Sequence, residues 1–337
     1  MRVAVVVVTW NALGLTRRCL NSIRDQQLPA GTQMQLVVVD NGSQDGTAAA
    51  LRDEPDVLLV ALPDNRGFGG GVNAALAATS SDVVVLLNND AVAEPGFLAH
   101  LVAPFGAGTP RLGATTGLVL LSGSFVPAGP TGPALVGHDG RRWARSSEDG
   151  VRLVNSTGNE VTRSGNGRDR DWLRPAGTVS AAAEVFGFNG GCAALSRAAL
   201  DDVGGFTEPL FMYYEDTELS WRLRRRGWDV RHVPDAVTVH DHAASSGTAS
   251  AFFLDHNERN RILVCLMHAP WAVTLRAAVR SAVRVAVGPQ RRRRARALLA
   301  ALARAPWALQ QRRAVDRTAT VPRAVPAALL VPDGASS

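Results

Sequence analysis

The chain contains no lysine, so all 36 of its lysine-or-arginine cations are arginine. Every fixed positive charge is therefore a planar guanidinium suited to phosphate contacts, although a GC-rich genome would produce the same bias. Cysteine is scarce as well. Cys19, Cys192 and Cys265 are odd in number, far apart and form no C-x-x-C, which excludes a disulfide framework and a structural zinc site and points to a reducing cytoplasm. No window reaches the ~18 uninterrupted apolar residues of a spanning helix, because arginine interrupts each long alanine or valine stretch. Any membrane contact is then peripheral. The apolar run Val3 to Val8 is too short for a signal peptide, lacks a cleavage site, and is expected as a first buried strand.

What is present suffices for a sizeable core. The chain has 337 residues and 46% apolar content, enough for one large α/β domain with appendages or two modest ones. Its net charge of +6 is unevenly placed: residues 257–337 carry 15 Arg against three acids, leaving 21 Arg against 27 acids before them.

The first hundred residues alternate β-branched runs with helical stretches: RVAVVVVTW, a helix over about Leu15 to Gln26, QLVVVDNGS, a helix near Thr47 to Asp53, VLLVAL, a helix over Val72 to Ala78, then DVVVLLNND. Unbroken apolar strands between helices predict a mostly parallel sheet flanked by helices, with its ligand at the strands' C-terminal ends. Residues 121–183 turn to Gly, Pro, Ser, Arg and Asp and are expected as an irregular insertion. Order returns with a strand, a Gly-rich turn and a helix over VFGFNGGCAALSRAALDDVGGF. An acidic cluster then opens a helix that Gly227 stops, and a strand follows over Ala236 to Val239. Residues 264–313 read as a basic amphipathic helical extension and 314–337 as a loose tail.

Several residues carry chemistry. Asp40, ending the second strand, is placed to accept a pyrimidine imide N–H or a ribose hydroxyl, or to cap the next helix. PDNRGFGGGVNAAL is a Gly-rich turn into a helix, either an anion or nucleotide cradle or a tight turn, and it fails the dinucleotide fingerprint. Asp90 follows VVVLL at the sheet edge, where a hard Mg²⁺ or Mn²⁺ ion bridges a carboxylate to a diphosphate. His240 is the leading imidazole partner and His242 the runner-up, against a structural role for either. Glu215, Asp216 and Glu218 crowd a helix start. They either serve its dipole or, after Phe211, Tyr213 and Tyr214, form a desolvated general base, for which Asp216 is the choice.

VVVVTWN, VVVDNGSQDGT, NRGFGGGVNAAL, LLNND, FNGGCAALSR, VGGF and MYYEDTELSWRLRRRGW, in this order and spacing, resemble family 2 glycosyltransferases, specifically the rhamnosyltransferase-like branch, over about residues 3–263. The resemblance implies a GT-A fold, with a nucleotide-binding half over 1–100 and an acceptor and catalytic half over 184–263. It places Asp40 on the nucleotide base, and Thr9, Asn11, Asn65, Arg66, Gly67, Asn73 and Asn89 around the donor. The family's D-x-D motif falls on Asn88-Asn89-Asp90, so Asp90 is the remaining metal carboxylate and metal binding is expected to lean on the diphosphate. The E-D motif falls on Glu215 and Asp216, with Asp216 as base. The H-x-x-x-x-S-S segment falls on His240 to Ser246 and favours His240 as metal ligand. The R-N-R segment falls on Arg259, Asn260 and Arg261, expected to face the diphosphate.

The resulting expectation is an inverting, metal-dependent transfer of one sugar, by the branch a rhamnose, from a dTDP- or UDP-sugar to a glycan or polyprenyl-linked acceptor in cell-envelope polysaccharide synthesis. Arg276, Arg280 and Arg284, four apart, with Leu298, Leu302 and Trp307, make an anionic membrane surface a further candidate partner, against a solvated helix face or contacts with the acidic body. A nucleotidyltransferase would carry a Gly-rich basic loop where this chain has TWNALGLT. A nucleic-acid binder using the basic tail would leave the carboxylate motifs unexplained, so no nucleic-acid partner is expected. A processive synthase is disfavoured by the lack of spanning helices.

Overall fold

A computed structural model describes residues 1–179, 182–241 and 250–334. Its first layer is built by β1 (Arg2–Thr9), β2 (Gln33–Asp40), β3 (Val57–Ala61) and β4 (Val83–Leu87), which pair in parallel in the order β3-β2-β1-β4. Six of the eight β1 residues are β-branched, the type that packs best on a pleated surface. Alternate residues feed two cores: Val3, Val5 and Val7 join one cluster and Ala4 and Val6 the other. A sheet buried on both faces needs apolar residues at every position, hence the unbroken runs.

Helices α1 (Leu13–Arg24), α2 (Thr47–Arg52) and α3 (Gly67–Ala78) connect these strands. In α1 the buried residues Thr16, Cys19, Leu20 and Ile23 recur at the spacing of one helical face. Burial of Leu20 and Ile23 stabilises this contact by roughly 1.5–3 kcal/mol each. The Gly-rich stretch expected as a turn before a helix at Val72 is instead the first part of α3 itself. Close packing demands it: a Cβ on Gly71 would stand 2.7 Å from Val8 Cγ1.

Beyond β4 the sheet becomes mixed. Short β5 (Ala91–Ala93) and α4 (Phe97–Gly106) precede β6 (Leu112–Leu121). The insertion is not irregular, as expected, but a set of short strands. β7 (Ser124–Pro127), β8 (Leu135–Val136) and β9 (Arg142–Ser146) form a small sheet; β10 (Val154–Ser156) pairs with β6; β11 (Asn159–Val161) and β12 (Gly167–Asp169) form a hairpin. Leu121, Phe125, Trp143, Leu153 and Leu173 give this region its own core. Strands this short have no period to read in the sequence.

β13 (Cys192–Ser196) lies antiparallel between β4 and β6 and leads through α5 (Arg197–Val203) to α6 (Glu215–Arg225). β14 (Asp229–His240) runs parallel to β6 and antiparallel to β5; it begins seven residues before the expected strand. The boundary expected after residue 263 falls inside one helix, α7 (Ala251–His268), which α8 (Trp271–Val287), α9 (Arg291–Ala303) and α10 (Ala305–Thr318) cover. The tail expected to be loose is docked through residue 334. Leu330 is buried, Val331 N–H donates to Val161 O at 3.0 Å, and Arg163 N–H donates to Val331 O at 2.9 Å.

Candidate active site

Thr9 and Asp40 are register partners at the C-terminal ends of β1 and β2. Asp40 is buried; its Oδ2 accepts Ser43 N–H at 3.2 Å, while Oδ1 has no hydrogen-bond partner. An unpaired buried carboxylate oxygen costs about 1–3 kcal/mol or more unless a ligand donor meets it. Asn11, at φ 50°, ties two loops together: its N–H donates to Ser43 Oγ and its Oδ1 accepts Gln44 N–H, both at 2.8 Å. Asn89 Nδ2 donates to Thr9 Oγ1 at 3.2 Å, joining the ends of β1 and β4.

Asn41, which the sequence reading passed over, organises the 65–67 segment. Its Nδ2 donates to Asn65 Oδ1 at 3.1 Å and Gly67 O at 3.0 Å, and its Oδ1 accepts Arg66 N–H at 2.9 Å. Asn65 Oδ1 also takes the Gly67 N–H at 2.9 Å. The Arg66 guanidinium pairs with Glu208 at 3.2 Å on the surface. Asn73 is turned elsewhere: its amide is taken up by Phe206 N–H and O at 2.8 and 2.9 Å and by Glu208 Oε1 at 3.1 Å. That is a tie between α3 and the segment before α6 rather than an open nucleotide contact.

At the other edge of the site, β14 delivers His240 against Asp90, with Nε2 2.9 Å from Asp90 Oδ1. His240 Nδ1 lies 3.0 Å from Asn155 Oδ1, so Asn155 of the insertion orients the ring with Nε2 toward Asp90. A hard carboxylate oxygen and an oriented imidazole fit a divalent ion, and no third His, Cys, Asp or Glu groups with them among the described residues. His242 lies outside the described residues.

The carboxylates of α6 separate into different environments. Asp216 Oδ2 accepts Gly190 N–H at 3.1 Å and Oδ1 accepts Thr217 N–H at 2.6 Å; the residue is half-buried. Glu215 is buried with Oε2 unpartnered, and burial together with the adjacent Asp216 charge pushes its carboxyl up to about 8. Glu218 belongs to the frame. Burial alone would raise it, but Arg222 and His268, at 2.8 Å each, hold it far below the carboxylate range.

The turn into α6 is strained. Phe211, Tyr213 and Tyr214 have φ of 67°, 67° and 71°, a region costing of order 1–3 kcal/mol per non-glycine residue. Asn260 Nδ2 compensates by lying 2.9, 2.9 and 2.7 Å from the carbonyls of Leu210, Met212 and Tyr213. Arg259 Nη2 donates to Leu210 O at 2.8 Å, and Arg261 is buried against Glu258 and Ser281. The R-N-R segment thus bonds to this turn and to the helical layer.

Asp169, at the end of β12, was also missed. Its Oδ1 accepts Asn189 Nδ2–H at 2.9 Å, and withdrawal from water, then repulsion by Asp216, raises it to about 6 against the hydrogen bonds of Ser156 and Asn189. The only sequence signal was RDRDW in a segment without periodicity.

Comparison with known proteins yields matches over most of the chain. The profile of Glycosyl transferase family 2 matches residues 4–112, and that of Glycosyl transferase family group 2 matches residues 153–322. The N-acetylglucosaminyl-diphospho-decaprenol L-rhamnosyltransferase of Mycobacterium tuberculosis is 30% identical over 286 residues, covering 79% of this chain and 85% of that protein. Two solved structures share the fold. GalNAc-T7 with UDP, GalNAc and Mn2+ aligns with TM-score 0.59 at 16% identity over 81% of this chain and 49% of the other. The mannosyltransferase PcManGT from Pyrobaculum calidifontis with GDP-Man and Mn2+ aligns with TM-score 0.52 at 20% identity over 94% and 85%.

Proposed function

The chain belongs to glycosyl transferase family 2, on its rhamnosyltransferase-like branch, and on that premise we propose that it moves one sugar, a rhamnose, from a dTDP- or UDP-linked donor to a hydroxyl of a polyprenyl-linked glycan with inversion at the anomeric carbon. The donor sugar and lipid-linked acceptor follow the name of the mycobacterial relative. The observation that carries the proposal is the Asp90–His240 pair, 2.9 Å apart, built by residues 150 positions apart in the chain at the C-terminal edge of the sheet.

In this scheme Asp40 accepts the imide N–H of the pyrimidine through its unpartnered oxygen, with Thr9, Asn11, Asn65, Gly67 and Asn89 shaping the surrounding wall. Asp90 and His240 hold Mg²⁺ or Mn²⁺, which when bound neutralises charge on the leaving diphosphate. Asp216 takes the proton from the acceptor hydroxyl as the oxygen attacks the anomeric carbon. Gly190 N–H and Thr217 N–H fix its two oxygens in direction. Glu215 beside it, pushed up to about 8 by burial and the Asp216 charge, stays protonated at neutral pH. We assign Asp169 to the acceptor side, where its carboxylate accepts a sugar hydroxyl.

The test is a donor screen by Mg²⁺- or Mn²⁺-dependent hydrolysis with dTDP- and UDP-sugars, followed by transfer to a polyprenyl-diphosphate-linked glycan. Cleavage of one donor with inverted product supports the scheme. Failure of every nucleotide sugar to bind with either metal would overturn the donor site.

A further inference from the structure

The arginines of α8 bond to the body, although Arg276 is itself exposed. Arg276 donates to Arg163 O at 3.3 Å, Arg280 to Ser164 Oγ at 3.0 Å and Asp333 Oδ1 at 3.2 Å, and Arg284 to Glu258 Oε1 at 2.8 Å. The row expected to reach lipid headgroups is thus used to clamp the helix to the body. Beside Arg276, what α8 turns outward is apolar. Trp271, Leu275, Val279, Val283 and Val287 recur every four residues and are 58, 66, 53, 52 and 80% exposed. The outer face of a helix on a protein in water is polar, and large apolar side chains on it occur singly. Here they form a row along the whole helix, while Val273, Thr274, Ala277 and Ser281 fill its buried side.

Helix α9 continues this surface. It packs against both α7 and α8 and exposes Leu299 and Leu302, with Arg291, Arg292 and Arg296 also exposed. The charge this layer carries is almost entirely arginine, and Asp255 of α7, which lies beside it, is paired with Arg293 at 3.0 Å. Between residues 264 and 334 the acids are Asp316 and Asp333, and both are already paired, with Arg225 and Arg323 and with Arg280. A second copy meeting this face would bring arginine against arginine, with the acids there already paired. An anionic surface with an apolar layer beneath complements both features.

We infer that the outer face of α8 and α9 is an interfacial docking surface for an anionic lipid bilayer, with the Trp271–Val287 row entering the headgroup boundary and Arg291, Arg292 and Arg296 meeting lipid phosphates. The helix lies in the plane, as no helix among the described residues is long and apolar enough to cross. The surface rests for its purpose on the lipid-linked acceptor proposed above, because docking would confine the enzyme to the surface that carries that acceptor.

The test is flotation of the full chain with vesicles of phosphatidylcholine alone and with about one third phosphatidylglycerol, beside a triple variant Leu275→Gln, Val279→Gln, Val283→Gln and a second, Arg291→Gln, Arg292→Gln, Arg296→Gln. The wild type floats with the anionic vesicles, and each triple variant binds them at least about tenfold less. Donor hydrolysis in solution remains at the wild-type level in both variants, which shows that they are folded. Wild-type protein that stays unbound, or variants that bind as well as wild type, would overturn the inference. So would sedimentation showing a wild-type dimer that the apolar variant splits. Loss of donor hydrolysis by the wild type with vesicle binding intact would count against the glycosyltransferase scheme alone.

Discussion

Asp90 Oδ1 and His240 Nε2 lie 2.9 Å apart although one sits between the fourth and fifth strands and the other ends the last. We expect Asp90→Ala or His240→Ala to abolish metal-stimulated donor hydrolysis. Asn155→Ala, which removes the partner of Nδ1, should weaken metal affinity by about 10–100-fold. Titration of Mn²⁺ into protein with nucleoside diphosphate, followed by thermal shift, checks this; unchanged metal affinity in His240→Ala would remove His240 from the site.

Asp216→Asn keeps the shape of the side chain and removes its basicity. Turnover should fall by about 10²–10⁴-fold with donor binding within a factor of a few. Single-turnover transfer and donor titration separate the two. A variant that loses donor affinity and keeps turnover would show that Asp216 binds donor instead.

A Cβ on Gly67 would stand 2.0 Å from the Phe211 carbonyl oxygen, and Gly67 itself has φ +74°. Gly67→Ala should therefore displace the strained turn before Glu215 and cost activity and stability together. Asn260→Ala, which strips the amide from three carbonyls, should destabilise by about 1–3 kcal/mol. Urea unfolding and kcat measured on the same samples check both. Full activity in Gly67→Ala would mean that the turn tolerates relocation.

The Glu215 carboxyl rises from its ordinary 4.5 to about 8 in the fold. The folded state therefore binds its proton more tightly than the unfolded chain, so this contribution to stability is complete below pH ~4.5 and lost as pH rises through about 8. Relative to wild type, Glu215→Gln should gain stability steadily between pH 5 and about 8. Denaturation at several pH values tests it, and a constant difference would show that Glu215 is ionised throughout.

Asp169 rises to about 6 beside Asp216. If it accepts an acceptor hydroxyl, Asp169→Asn should raise the acceptor KM with donor hydrolysis unaffected, and the rise should shrink below pH 6, where the wild type is itself protonated. An equal loss of donor hydrolysis would assign it to the donor side.

Much of the nucleotide-binding half was legible because its signals are local. A strand buried on both faces must be apolar at every position, and a helix such as α1 must bury every third or fourth residue, so β1 to β4 and their helices follow from residue order. The acids Asp40, Asp90, Glu215 and Asp216 were found because each ends or begins such an element. The short strands of the insertion were not legible, since two to five residues define no period. Nor was the docking of Leu330 and Val331, which depends on a groove made elsewhere in the chain.

Residue order alone therefore determined the parallel strands, the positions of the carboxylates at strand and helix ends, and the concentration of arginine after residue 257. It could not decide which way long side chains turn. Arg280 and Arg284 sit on α8 at a spacing that suits headgroups equally well, yet Glu258 and Asp333 draw them inward. Asn73 and Arg259 likewise bond to backbone carbonyls far along the chain. A guanidinium or amide finds its partner across space, where desolvation makes an unpaired polar group costly. Only the tertiary structure brings those partners within reach, and so only it decides which residues face a ligand and which hold the frame.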